Sequence, residues 1–209
     1  MSNEYLKSKI RKYELYRNII VGILIIFAYL AGRYVIFSNY LLNLALGIML
    51  GIAGGVSLFV VEYLVKKQIN YNKGLKLEEQ IEKKLKEKKI EYNQHVETEY
   101  GDLDFLIKKD DFYYGVEAKN WAGSVIFENG LLKVAGWNNN DILSTLLKHC
   151  KLVRNKKLGG NSGKFIKPVL VFGYKADVKI YQNKIIFNGV EVLVVSINDF
   201  IGTIINHDK

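Results

Sequence analysis

The residues best placed to do chemistry lie at 101–123, GDLDFLIKKDDFYYGVEAKNWAG, where Asp104, Glu117 and Lys119 supply two carboxylates and an amine. The pattern reads as two short strands joined by a tight polar turn at Lys109, Asp110 and Asp111. Tyr114, Val116 and Ala118 alternate with Gly115, Glu117 and Lys119, and successive strand side chains point to opposite faces, so Glu117 and Lys119 share one face. A simple hairpin register brings Asp104 beside Glu117. Carboxylate oxygens are the hard ligands that Mg²⁺ prefers, and an amine beside them can orient or deprotonate a water. The same alternation also describes any half-solvated antiparallel hairpin, so spacing alone leaves both readings open.

Asp104 followed by Glu117-Ala118-Lys119 resembles the D…ExK signature of the PD-(D/E)XK nuclease superfamily. Within it, GDLDFLI…YYGVEAKNWAG is similar to the nuclease-related domain (NERD) family, whose pattern is roughly GEIDhhhh…hhhEhKnhxG. The resemblance covers roughly residues 77–200 and is strongest over 101–123 and 167–173. It implies an α/β fold with a restriction-endonuclease-like mixed-sheet core, and a Mg²⁺- or Mn²⁺-dependent nuclease. Asp104 and Glu117 would then hold the metal with the Ala118 carbonyl, and Lys119 would position or deprotonate the attacking water.

The elements that must position these residues follow from periodicity. Residues 77–88 read as a helix with Leu77, Ile81 and Leu85 on one face; Glu78 falls about 60° from the middle of that face and Glu79 points away. The family resemblance makes Glu78 the first-helix glutamate that reaches the metal site, against the plainer reading of a solvated helix residue. Residues 90–98 read as a strand leading into the hairpin. A second hairpin, 124–127 and 131–134, turns at Asn129-Gly130. Trp137 and three asparagines form a loop capping a helix from about Asp141 to Asn155, with Leu143, Leu146, Leu147, Cys150 and Val153 on its apolar side.

In the resembling family this helix opens with Asn-Pro and carries a glutamine facing the site. Here Asn140 keeps its place, Asp141 stands for the proline and Ser144 for the glutamine. Lys148, on the Ser144 stripe, is the candidate substitute. His149 reads as a surface or helix-face residue rather than a ligand. Lys148, Lys151 and Arg154 are the candidate nucleic-acid contacts, with Lys156, Lys157 and Lys164 in a glycine-rich loop that lacks the GK[ST] of a phosphate-cradling loop. Residues 168–173, PVLVFG, read as a strand buried on both faces; 178–187 and 190–195 read as two more strands, and 198–205 as a closing helix.

The front of the chain is different. Residues 19–37 and 41–65 are apolar runs with one charge each, Arg33 and Glu62, and each is long enough to cross a hydrocarbon core of about 30 Å. Only Ser38, Asn39 and Tyr40 separate them, so the expectation is a two-helix transmembrane hairpin; a cleaved signal peptide would have a shorter apolar region and no second span. Lys7, Lys9, Arg11, Lys12 and Arg17 precede the first run, and Lys66, Lys67, Lys73 and Lys76 follow the second. Basic flanks on both sides predict a multi-pass protein of the cytoplasmic membrane with both termini cytosolic. The organisation expected is a basic N-terminus at 1–18, spans at 19–37 and 41–65, a basic linker ending in a glycine turn at 66–76, and a cytosolic nuclease-like domain at 77–209. The lone Cys150 agrees with a reducing compartment. Gly51-Ile52-Ala53-Gly54-Gly55 would allow close helix approach, to the first span or, in a homo-oligomer, to a second copy.

The net charge of +9 is unevenly distributed. Residues 77–209 hold 20 Lys and Arg against 18 Asp and Glu, so their net is only +2 and the remaining +7 lies in residues 1–76. The basic balance therefore reports membrane topology and attraction to anionic lipid more than DNA binding. The function expected is phosphodiester hydrolysis, in DNA first and RNA second, at the cytosolic membrane face. The alternative is a degraded nuclease fold that binds nucleic acid or protein at the membrane without cutting.

Overall fold

The computed structural model describes residues 2–34, 40–157 and 165–206. The chain divides into two units, residues 1–73 and 74–209.

The first unit is helical. α1 spans Ser2–Tyr34, and α2 begins at Tyr40 and runs to Glu87. The chain's single proline is Pro168, so no proline interrupts either helix. Within the unit the charged ends meet in antiparallel fashion: the Tyr13 and Tyr71 rings stack 5.6 Å apart, and Arg17 Nη1 donates to Gln68 Oε1 at 3.4 Å. Ile25, Ile26 and Phe27 on α1 and Leu58 and Phe59 on α2 are mostly exposed. Among the described residues one stretch, Lys7–Leu30, is long and apolar enough to cross a membrane. It begins well before the expected start at residue 19, taking in the basic turns that flank the apolar run. Residues 35–37 of the expected first span, and Ser38 and Asn39 of the expected connection, lie outside the described residues. The expected second span is helical throughout.

The glycine turn expected at the end of residues 66–76 is absent: α2 continues through Gly74. A glycine in a helix interior costs about 1 kcal/mol relative to alanine, too little to break a helix that is favourable on both sides.

The second unit is built on a six-stranded mixed sheet in the order β1-β2-β3-β7-β10-β9. Its strands are β1 (Glu91–Thr98), β2 (Gly101–Lys109), β3 (Phe112–Lys119), β7 (Ile166–Phe172), β9 (Lys184–Phe187) and β10 (Val190–Ser196). β3, β7 and β10 run parallel and β2 runs against β3. A four-stranded sheet, β6-β5-β4-β8, is formed by β4 (Gly123–Glu128), β5 (Leu131–Val134), β6 (Trp137–Asn138) and β8 (Ala176–Val178).

Each face of the main sheet has its own core. Leu77, Ile81 and Leu85 of α2 and Phe200, Ile201 and Ile204 of α4 (Phe200–Asn206) cover Phe105, Ile107, Tyr114, Val116, Val169 and Val171. On the other face α3 (Asn140–Lys157) and the small sheet bury Leu103, Leu106, Leu170, Phe172 and Val194 against Leu143, Leu146, Cys150 and Val153. Each fully buried leucine or isoleucine contributes about 1.5–3 kcal/mol relative to exposure. β7 is buried on both faces, which explains its continuous apolar run. Gly115 is required by close approach: a Cβ there would stand 2.5 Å from Cys150 Sγ.

Two expected elements differ. The strand expected over 178–187 is split, because the chain changes sheets: β8 pairs with β4 and β9 with β10, and Gln182 and Asn183 turn between them at φ 51° and 56°. Trp137 and Asn138, expected in a loop, add β6 to the edge of β5.

Candidate active site

β2 and β3 pair in register from Phe105↔Val116 to Lys109↔Phe112. One step further along, Asp104 stands opposite Glu117, where no backbone pairing continues. The Asp104 side chain replaces it: Oδ2 accepts the Ala118 N–H at 2.7 Å. Glu117 and Lys119, two apart on β3, lie on one side of the strand, and Lys119 Nζ donates to Glu117 Oε1 at 2.6 Å. Glu117 is buried, with its other oxygen, Oε2, fully enclosed and without a hydrogen-bond partner.

Glu78 on α2 is half-buried while Glu79 is exposed. Its Oε2 lies 3.1 Å from His95 Nε2, and both side chains are only slightly exposed. His95 was not singled out from the sequence. Its register was available: Val96 pairs with Leu103 and Gln94 with Phe105, so His95 faces Asp104 across β1 and β2. What periodicity could not supply is its backbone. His95 has φ +46°, a left-handed conformation that costs a non-glycine residue about 1 kcal/mol or more, and the ladder lapses at this position.

The electrostatics follow from three carboxylates that act on one another and on Lys119. Burial, then Glu117, then Glu78 hold the Asp104 carboxyl well above its ordinary value, against the opposing pull of the Ala118 N–H and Lys119. Burial presses the Lys119 ammonium down, but Glu117, Asp104 and Glu78 together outweigh it and raise the net value. Negative charge is in excess, and one buried carboxylate oxygen is unsatisfied. Among the described residues no three His, Cys, Asp or Glu side chains gather closely enough to form a metal cage. The donors beside one another are the Asp104 and Glu117 carboxylates, and so small a protein set suits an ion that keeps several of its waters, as Mg²⁺ does.

The remaining sequence candidates part company along α3. Ser144 is exposed. Lys148 Nζ sits 4.1 Å from the centre of the Tyr100 ring. His149, expected as a surface or helix-face residue rather than a ligand, is buried, with Nε2 3.4 Å from the Tyr100 carbonyl oxygen; the turn between β1 and β2 folds over it. Lys151 and Arg154 line a separate cavity of about 280 Å³ with Phe165, Ile166 and Pro168, at the start of β7 and away from Lys119. Lys156 pairs with Glu99 at 3.8 Å, and residues 158–164 of the expected basic loop lie outside the described residues. Asn140, expected as part of the helix cap, instead reaches the second hairpin: Oδ1 accepts the Leu132 N–H at 2.7 Å and Nδ2 donates to the Gly130 carbonyl at 3.1 Å.

A mixed α/β domain with an acid–acid–lysine cluster on adjoining strands is nuclease-like in kind. The family comparison makes this specific: residues 73–173 match the model of the nuclease-related domain (NERD). Glu78, His95, Asp104, Glu117, Lys119 and Lys148 all fall inside the match, whereas β9, β10 and α4 lie beyond it. No curated protein and no solved structure matches the chain.

Proposed function

We propose that this chain is a membrane-anchored, metal-dependent nuclease that hydrolyses phosphodiester bonds, DNA being the first candidate substrate and RNA the second. The observation that carries the reading is the unbalanced carboxylate pair. Asp104 is held above its usual value and Glu117 Oε2 has no partner, as expected of a site made to receive a cation. Asp104, Glu117 and the Ala118 carbonyl would hold Mg²⁺ or Mn²⁺. When bound, the ion would polarise the scissile phosphate and offset charge developing on its oxygens.

The chain's own residues do the rest. The Asp104 bond to the Ala118 N–H fixes the carboxylate against β3. Lys119, kept as an ammonium by its carboxylate neighbours, suits orienting water and stabilising a phosphate oxyanion better than removing a proton. Glu78, whose Oε2 lies 3.1 Å from His95 Nε2, adds negative charge beside the pair.

The membrane reading is two spans, 19–37 and 41–65, with both termini and the nuclease domain cytosolic. It is supported by the apolar helix surfaces, the antiparallel Tyr13–Tyr71 contact and the basic flanks. The Gly51–Gly55 segment is a candidate face for a second copy.

A second reading, a non-cutting nucleic-acid or protein-binding module, is favoured by one particular: Ser144 is exposed and Lys148 is engaged by Tyr100, so neither takes the place of the family's glutamine. Incubating the detergent-solubilised full chain with DNA and Mg²⁺ or Mn²⁺ separates the two. Cleavage that stops in EDTA supports the nuclease; metal and DNA binding without cleavage supports the module.

A further inference from the structure

One end of the six-stranded sheet presents, besides its acids, aromatic rings that neither core uses. Tyr100 lies in the turn between β1 and β2 and is 61% exposed. Trp121, two residues past Lys119, is 37% exposed, and Tyr174, two residues past Phe172, is 55% exposed. β3 and β7 are parallel neighbours with Lys119 level with Phe172, so Trp121 and Tyr174 leave the sheet side by side. β2 runs the other way, which brings its start, and Tyr100 before it, to the same end.

Two of these rings are held from behind. The Tyr100 N–H donates to Thr98 Oγ1 at 3.3 Å, its carbonyl lies 3.4 Å from His149, and Lys148 covers one ring face at 4.1 Å. Trp121 leans on Phe172 with ring centres 6.2 Å apart. Rings so placed keep part of their surface open at little cost in conformational freedom.

We propose that this rim is a stacking platform that selects unpaired nucleic-acid strands for the site beside it; the proposal rests on the reading that the domain acts on nucleic acid. Bases inside a duplex already have both faces covered, whereas every unpaired base offers a free π-face to an aromatic ring. Lys148, beside the Tyr100 ring, then meets the phosphate of the stacked nucleotide.

The test is fluorescence anisotropy with the full chain in detergent and EDTA, using a labelled oligonucleotide of about 12 nucleotides, single-stranded or as its duplex. We expect the single strand to bind at least about tenfold more tightly. Tyr100→Ala and Trp121→Ala should each weaken single-strand binding by about tenfold and leave duplex binding unchanged. Tyr100→Phe, which keeps the ring, should bind as the parent does. Phe112→Ala, at the other end of β3, should also be silent. Equal or tighter duplex binding, no binding of either form, or a Tyr100→Ala/Trp121→Ala variant that still prefers the single strand overturns the platform. Because the readout needs neither metal nor turnover, a chain that binds single strands but never cuts retains the platform and loses only the nuclease reading. A chain that cuts without discriminating does the reverse.

Discussion

The Asp104 carboxylate accepts the Ala118 backbone N–H at 2.7 Å, at the step where the β2–β3 ladder ends. An acidic side chain thus does the work of a backbone carbonyl and is placed beside Glu117 by the same bond. That double duty makes Asp104 the informative residue to change.

Asp104→Asn keeps an oxygen for the Ala118 N–H and removes the charge. In the wild type the folded carboxyl is held above its ordinary 3.8, so folded chains retain a proton that unfolded chains release once pH passes that value. The stability this contributes is complete below 3.8 and lost as pH rises through the folded-state value. Without metal, we expect the variant to melt at a higher temperature than wild type at pH 7, with the advantage gone near pH 4. Fluorescence of Trp121 and Trp137 during thermal unfolding reads this. Mn²⁺ should raise the wild-type midpoint and leave the variant's unmoved.

Lys119→Ala and Glu117→Ala should fail differently. Removing the amine should reduce cleavage below detection while Mn²⁺ binding by calorimetry is retained. Removing Glu117 should abolish both, because it deletes a ligand. Ca²⁺ should support binding without turnover, being larger and less demanding in geometry than Mg²⁺. Retained cleavage in Lys119→Ala would remove the amine from the mechanism.

Gly115→Ala should destabilise the domain by about 1–3 kcal/mol in urea, since the new methyl meets Cys150 Sγ. Adding Cys150→Ala should restore most of that loss. If the two changes prove additive, the clash is not the cause.

Topology is testable through the same cysteine. Burial pushes the Cys150 thiol far up, so it should resist labelling in the folded chain. A cysteine added after Asn206 should react with a membrane-impermeant maleimide in broken cells only. Labelling in intact cells would place the domain outside.

How much of this was legible in the sequence depended on range. Period-2 alternation was enough to put Glu117 and Lys119 together and Val116 opposite, because strand geometry alone decides side. Period 3.6 separated Glu78 from Glu79, and the unbroken apolar run of β7 announced burial on both faces. The apolar stretch of α1 was equally plain, since length and hydropathy need no tertiary partner. Tertiary structure alone decided what lies across from each face. It paired His95 with Glu78 through a left-handed backbone, drew Lys148 onto Tyr100, buried His149 beneath the β1–β2 turn, and sent Lys151 and Arg154 to another cavity. It also carried α2 through Gly74 and divided 178–187 between two sheets. Local spacing specifies the direction of a side chain from its own backbone; its neighbours there are set by segments distant in sequence, through packing that no local pattern encodes.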